Sequence, residues 1–367
     1  MNNHCQNKGL CVQDDEFRNP LEFICVCDRC FFGDLCQFTT SQYSISLDAL
    51  IGQRIASHTP IYRQSISVQL YFTLIILFVI IGLSLNSITI TLFSIRTKLR
   101  NAECSLYIMT SSGFGICSVS ILCIKFISVI FRPEMVATQL GCASMEYLLK
   151  LFPTICDWLN AFVSLDRLWL IRTGAGMNKT PNKLAFKRRF LGSPAKILFI
   201  ILLVLVSFLH DPIHRQSIID PRFRNENRPW CVVKFDQQAI HVYNITINII
   251  HYVGPFILNL ISSLLILVYV SRSKSNAQKQ SFHKILKEQF LAYKSWILSP
   301  LLLALFTVPR LIFALTFTCI TSPDAWQSQL LLIGYFIGFL PQIGTLIIFI
   351  LPSKTYKEEL IKLFKRQ

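Results

Sequence analysis

Long apolar runs alternate with short polar, mostly basic stretches along most of this chain, and the runs are too long to be strands. A helix needs roughly 20 apolar residues to cross a bilayer, and most of these runs reach that length. The pattern predicts membrane-crossing helices over Val68–Phe93, Cys104–Phe131, Cys142–Arg172, Ala195–Leu209, Val242–Val270, Ala292–Cys319 and Leu330–Leu351. After the last run the period changes. Between Lys354 and Arg366 the residues Tyr356, Leu360, Ile361 and Phe364 share one helical face, and charges fill the other. An amphipathic basic helix directly after a span lies in the membrane interface. The opposite end of the chain has neither pattern. Residues 38–66 are rich in Ser, Thr and Gln and read as a flexible extracellular linker, and residues 1–37 are dominated by cysteines.

Composition agrees with this division. Of 367 residues, 52% are hydrophobic and only 15% charged, the balance of a multi-span membrane protein rather than a soluble enzyme. The formal charge of +16 would suggest nucleic acid in a soluble chain. Here the basic residues collect in loops between spans, and no basic stripe with interleaved aromatics forms, so no nucleic-acid partner is expected. Lys and Arg cluster in the first, third and fifth loops and in the tail, while the second loop offers Arg132 and the sixth none. The positive-inside rule then places the C-terminus in the cytoplasm and, with seven spans, the N-terminus outside. Thirteen cysteines fall into two groups, and the six within residues 5–36 imply an oxidising, extracellular compartment for that module. The remainder lie in or near apolar segments. The fold class is therefore an all-α membrane protein, a seven-transmembrane helix bundle with a small disulfide-rich extracellular module. Its boundaries are a module at 1–37, a linker at 38–66, the bundle at 67–352 and the amphipathic helix and tail at 353–367.

One stretch organises the rest. In CASMEYLLKLFPTICDWLNAFVSLDRLWLIR, Cys142 stands 25 positions before Arg167. That is roughly 37 Å of helix, enough to cross a bilayer with some tilt. The adjacent charges Asp166-Arg167 interrupt the apolar run at its basic end, and ionisable residues at bilayer depth are expensive enough to be read as functional. This spacing resembles the third helix of rhodopsin-like G-protein-coupled receptors, with Leu168 where that family usually has tyrosine. Asn86 resembles the family's first-helix asparagine, Pro255 its fifth-helix proline and Pro309 the proline about which its sixth helix swings. Other positions depart from the family. Ser111, Ser112 and Gly113 stand where an aspartate that binds sodium is usual. Thr307 replaces the aromatic toggle, and Thr345 to Phe349 replaces Asn-Pro-x-x-Tyr. The resemblance is closest to divergent invertebrate receptors of the peptide-binding kind. It implies a Cys142–Cys231 disulfide and a switch at Asp166 and Arg167. The spacing around Cys25, Cys27 and Cys36 resembles an epidermal-growth-factor-like module, which implies Cys5–Cys25 and Cys27–Cys36. Its remaining cysteines leave two readings open. Either Cys11 pairs with Cys30 in a rearranged module, or the chain is a fragment of a longer protein whose start lies upstream.

These features point to a plasma-membrane receptor that transduces an extracellular ligand, of peptide class, to a heterotrimeric G protein by opening its cytoplasmic face around Arg167. Leu149 stands near where amine receptors carry an aspartate, so an amine ligand is not expected. Glu146, Lys150, His251 and Arg310 are ionisable residues in the outer or middle bundle and are candidates to meet the termini of a peptide. Lys125, in the second span, is expected to snorkel outward, and Asp157 reads as a mid-helix packing or relay position. No catalytic constellation, metal cluster or phosphate-cradling loop appears, so no enzyme activity, cofactor or metal is expected. The second reading is a non-signalling cell-surface adhesion or scaffold protein that uses the N-terminal module.

Overall fold

A computed structural model describes residues 5, 9–13, 23–28, 31–32, 36, 38–39, 46–56, 59–100, 104–132, 134–135, 138–172, 183–219, 229–235, 237–278, 281, 302–303, 305–306, 308–309, 312, 326–350 and 354–365. Five of the helices there are long and apolar enough to cross a membrane. They are α2 (Ile66–Ile95), α3 (Ser105–Phe131), α4 (Gln139–Arg172), α5 (Lys183–Ser207) and α7 (Gln238–Gln278), numbered after the short helix α1 (Leu47–Ile51) and around the short helix α6 (His210–His214). The chain is a multi-pass helical membrane protein by this composition.

Large apolar side chains face outward in rows, including Ile76, Leu77, Ile80 and Ile81 on α2 and Leu198, Phe199, Leu202 and Leu203 on α5. A water-soluble protein would not expose such faces, whereas acyl chains cover them without cost. The helix α4 is the inner member, packed between α3 on one side and α7 on the other. It carries Pro153 in its interior, α5 carries Pro194 and α7 carries Pro255. A proline removes one helical hydrogen bond, a loss tolerated where neighbouring helices re-satisfy the freed group. The helix α7 continues to Gln278, well past Val270, so the basic stretch after the fifth apolar run prolongs the helix instead of ending it.

The expected seventh span is broken. It comprises α8 (Trp326–Ile337), a single turn α9 (Leu340–Ile343) and a wider π-type turn at Leu346–Ile350. Gly338, Pro341 and Gly344 punctuate the segment, and Pro341 sits in the first turn of α9, where its missing N–H is least harmful. The expected sixth span, Ala292–Cys319, lies largely outside the described residues, as does Arg310; Pro309 is described and helical. The amphipathic stretch forms α10 (Lys354–Lys365).

Among its described residues the N-terminal region holds two small antiparallel pairs. Strand β1 (Leu10–Gln13) pairs with β2 (Phe23–Val26), and β3 (Phe31–Phe32) with β4 (Phe38–Thr39). Disulfides join Cys5 to Cys25 and Cys27 to Cys36. So few residues cannot bury a core, so the cross-links replace one. Cys11 is not disulfide-bonded, and Cys30 lies outside the described residues. The stretch read from sequence as a linker differs from that expectation. Its residues 47–51 form α1, and Leu47, Ile51 and Ile55 are buried in one apolar cluster with residues of α2, α3, α4 and α8. Between α6 and α7 a hairpin of β5 (Arg215–Ile219) and β6 (Pro229–Val233) places Ser217 opposite Cys231.

Candidate functional site

Buried charge concentrates at the end of the bundle where Cys142, in the first turn of α4, is disulfide-bonded to Cys231 of β6. Lys125 of α3 is fully buried there. Its Nζ lies 2.8 Å from Asp48 Oδ1 and 3.0 Å from Glu146 Oε1, ion pairs by distance without aligned hydrogen-bond geometry. The other Asp48 oxygen accepts a hydrogen bond of 2.7 Å from the Cys231 N–H. Burial alone would raise the Asp48 carboxyl, but the Lys125 ammonium and the hydrogen bond from Cys231 hold it below the usual aspartate range. Lysine therefore does not snorkel at this position; two carboxylates hold it in the interior.

One turn further along α4, Lys150 Nζ donates to Asp211 Oδ1 at 2.6 Å. The same carboxylate receives Arg215 Nε at 2.7 Å on its second oxygen. Arg215 is fully buried, and Asp211 beside it keeps its guanidinium charged against the cost of burial. Gln139 at the start of α4 clasps β5, its amide donating to the Arg215 carbonyl while its Oε1 accepts from the Ser217 N–H at 3.2 Å. Charges of alternating sign thus run Asp48, Lys125, Glu146, Lys150, Asp211, Arg215 across α1, α3, α4, α6 and β5.

His251 stands deeper, on α7, and is enclosed. Its Nδ1 accepts from Trp158 Nε1 at 2.8 Å, so the single ring proton sits on Nε2, 2.7 Å from Ser207 Oγ. Ser207 Oγ donates in turn to the Val204 carbonyl, which fits it as the acceptor of the imidazole N–H. The Trp158 ring lies against Gly254, where an added Cβ would come within 3.1 Å of it. One imidazole thereby ties α4, α5 and α7 together next to Pro255.

In mid-bundle, Asn86 Nδ2 donates to the Gly82 carbonyl at 2.9 Å and to the Gln342 carbonyl at 2.8 Å. The second contact supplies a donor to the irregular backbone of the α9 turn. Gln342 Nε2 in turn donates to Asp157 Oδ1 at 3.3 Å, so α2, α4 and α9 share one polar chain. Nearby, Ser111 on α3 donates to Asn160 on α4 at 3.1 Å.

At the opposite end of α4, Asp166 Oδ1 pairs with Lys196 Nζ of α5 at 3.1 Å, and the Tyr107 hydroxyl and Ser193 lie beside it. Arg167 meets the hydroxyl of Tyr356, the first apolar residue of α10. Tyr356 is also 3.3 Å from Cys104 Sγ and edge-on to Phe93, and its burial raises the phenol above its usual range. Arg96 reaches Glu359 of α10 at 3.8 Å. The amphipathic helix α10 is thus fastened to α2, α3 and α4 at the Arg167 end.

Of the residues singled out from sequence, Glu146 and Lys150 fall into one network, His251 lies deeper on α7, and Arg310 is outside the described residues. Sequence reasoning missed Asp48, Asp211, Arg215 and Trp158. Asp211 and Arg215 stood in sequence four apart, a helical spacing for opposite charges that was a usable signal. For Asp48 the signal was Leu47, Ile51 and Ile55 at four-residue intervals.

Fold and site define a multi-pass helical membrane protein with buried ion pairs at one end of α4 and a fastened amphipathic helix at the other. Compared with models of known families and with curated proteins, the chain matches none.

Proposed function

We propose that the chain is a G-protein-coupled receptor of the rhodopsin-like kind, with seven spans, its growth-factor-like N-terminal module outside and its tail in the cytoplasm. The observation that carries this reading is the pairing of two differently built ends on one helix. At one end Cys142 and Cys231 tie α4 to a hairpin. At the other, Asp166 engages Lys196, and Arg167 engages Tyr356 of the interfacial helix. Such an arrangement suits a two-state bundle. In the resting state Arg167 is held by its neighbours; in the active state outward movement of the sixth helix about Pro309 frees it and opens a cleft for the G protein. A ligand acts by binding the open form more tightly than the closed one, and it contributes no more than that difference.

The ligand belongs to the peptide class in this reading. The disulfide end presents a buried network of charges of both signs, suited to termini and side chains of a peptide and poorly suited to a small apolar ligand. The test is expression at the surface of cells carrying promiscuous G proteins, with constitutive and peptide-pool-evoked signalling as the readout. Signal from the wild type that vanishes in Arg167→Ala at equal surface density is the expected result. A well-expressed wild type that is silent under every pool would favour the second reading, a non-signalling adhesion or scaffold protein.

A further inference from the structure

The segment before the first span is held in the bundle by more than proximity. Ser46, Leu47, Asp48 and Ile51 are 1%, 1%, 6% and 0% exposed, more completely enclosed than most residues of the membrane helices themselves. Three kinds of contact hold it. Ser46 Oγ donates to the Cys231 carbonyl at 2.8 Å while the Cys231 N–H donates to Asp48 at 2.7 Å, so both polar groups of one disulfide-anchored residue are taken by the segment. Asp48 Oδ1 reaches the fully buried Lys125. Leu47, Ile51 and Ile55 enter an apolar slot with Val119, Leu122 and Phe126 of α3, Leu149 of α4 and Phe336 of α8.

The segment is also closed on its membrane side by a clasp. Gln64 Oε1 accepts from the Ala56 N–H at 2.8 Å, and its Nε2 donates to the Ala56 carbonyl at 2.8 Å and to Thr59 Oγ1 at 2.7 Å. The charges explain why a carboxylate is needed at that point. Among the described residues, the network at this end without Asp48 has three cations, Lys125, Lys150 and Arg215, against two carboxylates, Glu146 and Asp211. Asp48 brings it to neutrality inside a medium where an uncompensated charge is costly.

We infer that the disulfide end of the bundle is a peptide-binding site whose resident ligand is the chain's own segment Ser46–Ile55, recognised by Lys125 through the Asp48 carboxylate and by an aliphatic slot through Leu47 and Ile51. A soluble ligand for this site displaces the segment and carries the same chemistry, a carboxylate flanked by aliphatic side chains at helical spacing. The inference concerns binding at this end and stands whether or not the other end couples to a G protein.

The test uses the full chain in lipid nanodiscs with a protease site introduced between Ser57 and His58. The disulfides Cys5–Cys25 and Cys27–Cys36 lie within the N-terminal piece and Cys11 is not disulfide-bonded, so with Cys30 replaced by serine retention after cleavage reports non-covalent binding. A synthetic peptide covering residues 44–56 is titrated against the cleaved protein, beside the same peptide carrying Asp48→Asn. The expected result is displacement of the N-terminal piece by the native peptide, with the Asn peptide needing about a hundredfold higher concentration, because it leaves Lys125 short of one carboxylate. Equal potency of the two peptides, or displacement by neither, overturns the inference. Because only the peptide is altered, misfolding of a variant cannot imitate either outcome, and G-protein coupling does not enter the readout.

Discussion

Lys125 shows how far a single residue's environment departs from what its neighbours in sequence suggest. It lies in an apolar helix, and the ordinary expectation is a long side chain reaching for the membrane surface. Its partners, Asp48 and Glu146, come from two other elements, so the sequence around it carries no sign of them. Removing one member of a buried ion pair leaves the other uncompensated, at a cost of about 3–5 kcal/mol. Lys125→Met is expected to lower thermal stability by that order, and Lys125→Met with Asp48→Asn to recover part of it, read by thermal unfolding in detergent. Additive losses would contradict the pairing. The pH dependence has a definite sign. Asp48 titrates below its unfolded value of 3.8, so its contribution is fully present above that pH and is lost as pH falls through the lower folded value. Retention of the cleaved N-terminal piece is therefore expected to be the same at pH 5 and pH 7; release on going to pH 5 would contradict the assignment. His251 offers a second test at this scale. His251→Phe leaves the Trp158 N–H and Ser207 without their partner at a buried site, a loss of about 1–3 kcal/mol. An unchanged melting temperature would show the clamp to be incidental.

At the scale of elements, apolar run length alone located the five long helices, because a bilayer imposes one length on every span and the signal repeats. The pattern failed where backbone chemistry competes with hydropathy. The segment from Trp326 to Ile350 carries no charge and is mostly apolar, yet Gly338, Pro341 and Gly344 divide it into α8, α9 and a wide turn. Asn86 accounts for the tolerance of that break, since its amide supplies a donor to the Gln342 carbonyl. Gly115 is the matching vacancy on α3. A Cβ there would lie 2.8 Å from the Gln342 carbonyl oxygen and 3.1 Å from Asn86 Nδ2. Backbone cannot yield as a side-chain tip does, so Gly115→Ala is expected to destabilise by about 1–3 kcal/mol in thermal unfolding. A neutral substitution would mean that α3 and α9 separate freely. The helix α1 was illegible for the opposite reason. Its surroundings are polar in composition, and three aliphatic residues at four-residue spacing are a weak pattern until the slot that receives them is seen.

For the whole molecule, the two ends of α4 are built differently, one tied by a disulfide to a hairpin and the other paired with α5. Candidate residues were readable from sequence at both ends because charges in apolar runs stand out, but their partnerships were not, since these join elements far apart in the chain. Glu146 and Lys150 looked available to an incoming peptide, whereas each is already paired within the chain. Under the inference drawn above, ligand binding at the disulfide end proceeds by exchange, an incoming carboxylate taking the place of Asp48. The Arg167 end is a separate cluster on the same helix, and Asp157, which accepts from Gln342 in the mid-bundle polar chain, lies between the two along α4. The most direct measurement is guanine-nucleotide exchange on purified heterotrimers of each major Gα class by the full chain in lipid nanodiscs, with the resident segment in place and displaced by peptide. A receptor of this kind is expected to drive exchange above that of the G protein alone for at least one class, with a loss of about tenfold or more in Arg167→Ala. Exchange no faster than that of the G protein alone, for every class and in both states of the segment, would contradict the receptor reading.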